Sequence, residues 1–147
     1  MYKEMLIELM ERKERRLRKH PSYRKLRKKG IRYFTEKDKQ AMMKWDEEKA
    51  KGAWSWIERE VAMGTPGLKM ETCPFCTYYV EHVYRGLWQL RCRECEYGQN
   101  HGRCFNVDSD YAIIKDAVGP DLLHLFPVRW YRLTLTLIKK KFLKGGK

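Results

Sequence analysis

Five cysteines are the residues whose type and spacing most directly imply chemistry: Cys73, Cys76, Cys92, Cys95 and Cys104. Four of them form Cys73-Pro-Phe-Cys76, then fifteen residues, then Cys92-Arg-Glu-Cys95. A C-x2-C…C-x2-C pattern of this spacing reads as a zinc site. Two residues between cysteines let a tight turn aim both sulfurs at one ion, and a second such turn completes a tetrahedral four-sulfur shell. A closed shell leaves no position for water, so the expected cofactor is one structural Zn2+ held by Cys73, Cys76, Cys92 and Cys95. His101 and Cys104 follow closely behind Cys95 and offer a substituted ligand set. Disulfides are the competing use. The adjacent pairs and the odd total argue against them, as does an N-terminus where Glu4, Glu8 and Glu11 interrupt any leader-like apolar stretch.

Charge supplies the second chemical signal. The 147 residues hold 32 Lys and Arg against 19 Asp and Glu, a net +13. Residues 1–32 carry thirteen basic and four acidic side chains, net +9, and residues 106–147 carry eight and four, net +4. Between Arg12 and Arg32 there are twelve cations and one acid, Glu14. Cations at this density favour a polyanionic partner, because binding releases the counterions condensed on phosphates. The candidate phosphate contacts are Arg12, Lys13, Arg15, Arg16, Arg18, Lys19, Arg24, Lys25, Arg27, Lys28, Lys29 and Arg32. Arg91 and Arg93 join them from the cysteine segment, and Lys139, Lys140 and Lys141 from the C-terminal end. Tyr23, Tyr33 and Phe34 interleave the run and could stack on bases or anchor it to a core.

Enzymatic activity is not expected. The sequence contains no P-loop, no Gly-x-Ser-x-Gly and no dinucleotide-binding glycine fingerprint. Asp108, Asp110, Asp116 and Asp121 lie near expected helix caps and form no recognisable catalytic pair. No apolar stretch approaches the ~20 residues needed to cross a bilayer. The basic amphipathic N-terminus could lie on a membrane surface, but its apolar stripe is short, so no membrane partner is expected.

These groups need elements to position them. Tyr2, Met5, Leu6, Leu9 and Met10 recur at helical spacing, and the stripe then fades to Leu17. Pro21 suits the first turn of a second helix and Gly30 its stop. Thr35, with Asp38 three residues on, predicts a capped helix running to Gly64, with Met42, Trp45, Trp56, Ile57 and Val61 on its apolar face. Residues 77–84 are rich in β-formers, Arg85-Gly86 can turn, and residues 87–91 return, which predicts a β-hairpin. Asp108 or Ser109 can cap a helix ending at Gly119-Pro120. Residues 128–143 alternate like a strand but are bracketed like a helix, and helix is preferred.

With cysteine pairs at both ends of a hairpin, residues 70–100 resemble a zinc ribbon. The expected class is therefore α+β: a small zinc-ribbon hairpin flanked by α-helices, with a basic helical N-terminal arm. The expected division is 1–34 arm, 35–67 amphipathic helix and turn, 68–105 ribbon, and 106–147 C-terminal segment with a basic tail. Zinc ribbons occur in transcription factors, polymerase subunits and ribosomal proteins, so the resemblance implies contact with nucleic acid or a polymerase complex. The expected function is non-enzymatic, intracellular nucleic-acid binding within a larger ribonucleoprotein or transcription complex. RNA is favoured over DNA, because no major-groove reading module is recognisable. The alternative is an adaptor docking on a large complex through Trp45, Trp54, Trp56 and the Tyr2–Met10 stripe.

Overall fold

The computed structural model describes residues 1–69, 72–76, 95–102 and 106–143. Helix α1, Tyr2–Leu17, is the hub. Its Met5, Leu6, Leu9, Met10 and Leu17 are fully buried. Burying such side chains contributes roughly 1.5–3 kcal/mol each. Helix α2 spans Pro21–Lys28, with proline in the first turn and the His20 ring accepting the Ser22 amide at 3.2 Å. Helix α3, Glu36–Met43, starts on a reciprocal capping box: Thr35 Oγ1 accepts the Asp38 amide at 3.4 Å, and Asp38 Oδ2 accepts the Thr35 amide at 2.8 Å. Helix α4 spans Glu47–Ala62.

The remaining described helices are α5 (Glu96–His101), α6 (Asp110–Val118), α7 (Asp121–Leu125) and α8 (Val128–Leu143). Ser109 caps α6 by accepting the Ala112 amide at 3.1 Å. Gly119 ends it at φ +61, a left-handed conformation that disfavours other residues. Helix α1 packs against α3, α4 and α8, while α4 also meets α8, α2 packs on α6, and α3 on α5. One cluster of buried side chains runs through all of them.

Several expectations need correction. The described residues are all-α, with no strand among them, so the α+β class is not upheld. The hairpin expected at 77–91 lies outside the described residues. The N-terminal segment is not an arm, because the apolar stripe of α1 is buried at the centre of the helical cluster. The single helix expected from Thr35 to Gly64 is two. Asp46 restarts the chain by accepting the Glu48 amide at 2.9 Å, and Trp45, at the break, turns into the core with 4% exposure. Residues 128–143 are helical. Leu135 and Ile138 are buried at helical spacing, which outweighs the alternation of the intervening threonines.

Glu14, the lone acid of the basic run, ties α1, α2 and the following loop together. Its side chain is 5% exposed. Oε1 accepts from the Tyr23 hydroxyl at 2.6 Å and from the Phe34 amide at 3.2 Å. Oε2 faces Arg18 at 3.3 Å and Arg27 at 3.1 Å. The Tyr23 hydroxyl in turn accepts the Tyr33 amide at 2.7 Å. Burial, then the charge of Glu14, pushes the Tyr23 phenol well above its ordinary range, so it stays protonated and donating. Replacing Glu14 with Ala strands two guanidinium groups, a buried hydroxyl and a backbone amide. We expect a loss of about 3–5 kcal/mol, read from urea unfolding of the Glu14→Ala chain. A change below ~1 kcal/mol would show that the carboxylate is not the tie.

Candidate nucleic-acid interface

Helix α2 presents the densest free charge. Tyr23 is fully buried and fixes which side faces inward. Arg24, Lys25, Lys28 and Lys29 then fall three and four residues apart on the outward side, and all are exposed. Lys19 precedes the helix and Arg32 follows it, both exposed. Lys19, Lys25, Lys28, Lys29 and Arg32, together with Arg15 on α1, form no ion pair among the described residues. Arg24 donates to the carbonyls of Arg18 at 2.9 Å and Lys19 at 3.2 Å, where the C-terminal end of α1 favours a cation. His20 Nε2 meets Asp121 at 2.8 Å, which joins the start of α2 to α7.

Other cations of the run are committed inside the protein. Arg12 pairs with Glu8 at 2.9 Å, and Arg18 and Arg27 with Glu14. Arg16 donates to the Leu125 carbonyl and lies 5.7 Å from the Trp130 ring centre. Lys13 is fully buried; its ammonium donates to the Thr72 carbonyl at 2.8 Å and sits 5.2 Å from the Tyr131 ring centre. Burial lowers its pKa to about 8, partly opposed by Cys73. At the far end of the chain Lys139 pairs with Glu58 at 3.0 Å and Lys141 with Glu8 at 3.2 Å, while Lys140 is exposed. Arg91 and Arg93 lie outside the described residues. Tyr23, Tyr33 and Phe34 are buried anchors, with no face open to a base. A cleft of about 320 Å³ beside the run is lined by Glu11, Glu14 and Glu36 as well as Arg15, Arg18 and Lys39. Its mixed charge does not favour a polyanion.

The metal site expected at Cys73, Cys76, Cys92 and Cys95 lies partly outside the described residues. Cys73 and Cys76 are half-buried around a helical turn at 74–76, and Cys95 is buried just before α5. Cys92 and Cys104 lie outside the described residues. Among the described residues no group of three or more His, Cys, Asp or Glu is placed to hold a metal ion, and none forms a strand. The zinc-ribbon resemblance is therefore not supported. The motif's neighbours are drawn into the helical core. Phe75 lies 5.4 Å from Trp45 and 5.3 Å from Tyr97, ring centre to ring centre, and Tyr97 donates to the Tyr33 carbonyl.

His101 is held between two carboxylates. Nε2 meets Asp38 at 2.6 Å and Nδ1 meets Asp110 at 2.7 Å, and the ring stacks on Tyr97 at 4.2 Å. Asn100 donates to the other oxygen of Asp38 at 2.8 Å. With both nitrogens committed, the ring has no lone pair free for a metal. Burial opposes its charge, but Asp38 and then Asp110 outweigh burial and raise its pKa. The sequence marks Asp38 only as a cap and shows no sign of this pairing. Glu14 did carry a sign, as the one acid among twelve cations.

No protein-family model matches the chain, and neither the curated proteins nor the solved structures provide a match.

The pH dependence follows from the direction of the His101 shift. A pKa raised on folding makes the protonated ring stabilising. That contribution is complete below the unfolded value of 6.5 and is lost as pH rises through the higher folded value. His101→Gln should remove this slope from a series of thermal unfolding midpoints taken from about pH 5 to 9. A slope that persists unchanged in the variant would assign it to other groups.

Proposed function

We propose that the chain is a non-enzymatic nucleic-acid-binding protein. It contacts the phosphate backbone through α2 and its flanks and works as part of a larger ribonucleoprotein or transcription complex. One observation supports this above the others: the exposed cations Lys19, Lys25, Lys28, Lys29 and Arg32 crowd one short stretch without acidic partners among the described residues. Elsewhere Arg12 is paired with Glu8, and Arg18 and Arg27 with Glu14. An unneutralised cluster repels itself in the free protein, and phosphates relieve that repulsion while releasing counterions. RNA is favoured over DNA on the sequence argument.

The adaptor alternative is weakened by burial. Trp45, Trp54 and the Met5–Met10 stripe are enclosed within the chain itself, and the half-buried Trp56 has Arg59 over its ring at 5.1 Å. No helix among the described residues is long and apolar enough to cross a membrane.

Charge reversal tests the proposal. The combined Lys25→Glu, Lys28→Glu and Lys29→Glu chain should bind single-stranded RNA roughly ten- to hundredfold more weakly at moderate salt. The slope of log affinity against log salt should shrink by about 2. Lys51→Glu on α4 and Lys115→Glu on α6, both exposed, should change neither quantity. Mobility shifts across a salt series, with duplex DNA alongside, read both. Equal affinity and equal slope in the triple variant and the parent would refute the α2 interface.

A further inference from the structure

Helix α8 presents two contrasting faces. Tyr131, Thr134, Leu135 and Ile138 are buried, and the helix packs on α1 and α4. Arg129, Leu133, Thr136, Leu137 and Lys140 are exposed on the other side, at the three- and four-residue spacing of one helix face. Leu133 is 59% exposed and Leu137 41%. Other exposed apolar side chains, such as Met43, Met63 and Leu123, each stand on a different element, as single surface residues ordinarily do. Two leucines one turn apart form a stripe instead, and apolar surface rimmed by polar side chains is the usual mark of an interaction site.

Charge and shape indicate what covers it. Residues 128–143 include five Lys and Arg and no Asp or Glu. Lys139 and Lys141 reach Glu58 and Glu8 on neighbouring helices, whereas Arg129, Arg132 and Lys140 form no ion pair among the described residues. A groove of about 240 Å³ lies between α4 and α8. Val61 and Ala62 line it from α4, and Arg132, Leu135 and Thr136 from α8. Thr136 and Leu137 are consecutive and both exposed, so groove and stripe adjoin. The Thr136 hydroxyl donates to the Arg132 carbonyl at 2.8 Å, so covering it strands no donor.

We propose that the outer face of α8 and the adjoining groove dock an amphipathic helix of a partner protein, whose apolar stripe is flanked by Asp and Glu. The surface shares no residue with the α2 region and does not depend on the RNA reading. Apolar side chains of such a helix cover Leu133 and Leu137 and enter the groove, while its carboxylates meet Arg129, Arg132 and Lys140. A phosphate backbone would use these cations but leave the leucines in water. A bilayer is flat and would leave the groove unfilled. A second copy of this chain would set the same cations against each other.

The test uses the full-length chain and a displayed library of helical peptides of the same length as α8. Each peptide carries Leu, Ile, Phe or Met at i, i+3, i+4 and i+7, with Asp, Glu, Lys or Arg randomised beside that stripe. The peptides selected should carry a clear excess of Asp and Glu. Labelled and followed by fluorescence anisotropy, they should bind the Leu133→Asp, Leu137→Asp chain at least ~tenfold more weakly than the parent. Arg129→Glu with Lys140→Glu should weaken them roughly three- to tenfold and flatten the salt dependence. All four positions are exposed, so both chains should keep the parent's thermal midpoint. Were the leucine variant to unfold, the charge variant would decide. The Lys25→Glu, Lys28→Glu, Lys29→Glu chain should bind the peptides as the parent does. Four results would overturn the proposal: no selected peptide binds more tightly than ~100 μM, the selected stripes are flanked by Lys and Arg as often as by acids, the α8 variants bind like the parent, or the α2 variant loses the peptides. In the same variants, loss of single-stranded RNA binding, of self-association in sedimentation, or of flotation with phosphatidylglycerol vesicles, without loss of peptide binding, would reassign the face and equally overturn it.

Discussion

A carboxylate without solvent, surrounded by cations, governs the N-terminal part of this protein. Glu14 lies in a run that would repel itself as an isolated helix. By accepting from Tyr23 and Phe34 and facing Arg18 and Arg27, it converts part of that repulsion into a tie. The tie works because all four partners are donors and because burial leaves little water to compete for the oxygens. Once α2 is fixed against α1 in this way, Tyr23 must point inward, and the remaining lysines and arginines of α2 must point outward.

The protein therefore divides its positive charge into two populations. One is internal and neutralised, through Glu8, Glu14 and the aromatic faces of Trp130 and Tyr131. The other is external and concentrated around α2. Only the second is available to a polyanion, and its concentration in a short stretch gives the functional proposal its physical basis. The His101 tie does a related job at α3. Two carboxylates, Asp38 and Asp110, share one imidazole ring that links α3, α5 and α6.

The cysteine segment shows how far local spacing reaches. A C-x-x-C pair guarantees that two sulfurs can approach each other, because the intervening geometry is local. It says nothing about whether a second pair arrives at the same point, which depends on the path between them. Cys92 lies outside the described residues; beside the cysteines that are described, Phe75 and Tyr97 serve as core aromatics next to Trp45. Lys13 teaches the same lesson in a different chemistry. In sequence it is one cation among twelve, yet it is the one whose position on α1 faces the core, so its whole side chain is enclosed.

Helix starts and stops that rest on local chemistry are legible in the sequence. The Thr35–Asp38 box, Pro21 in the first turn of α2, the Ser109 cap and the Gly119 stop all appear as their residues require. The excess of cations and the apolar stripe of α1 are legible there too. Packing, by contrast, sets which cations are spent internally, makes α1 a central helix, turns Trp45 inward at the break between α3 and α4, and brings His101 between two carboxylates. The physical reason is range. Caps and helical periodicity act over three or four residues, whereas burial and the pairing of Glu14 or His101 depend on partners up to 63 residues away, brought close by packing alone.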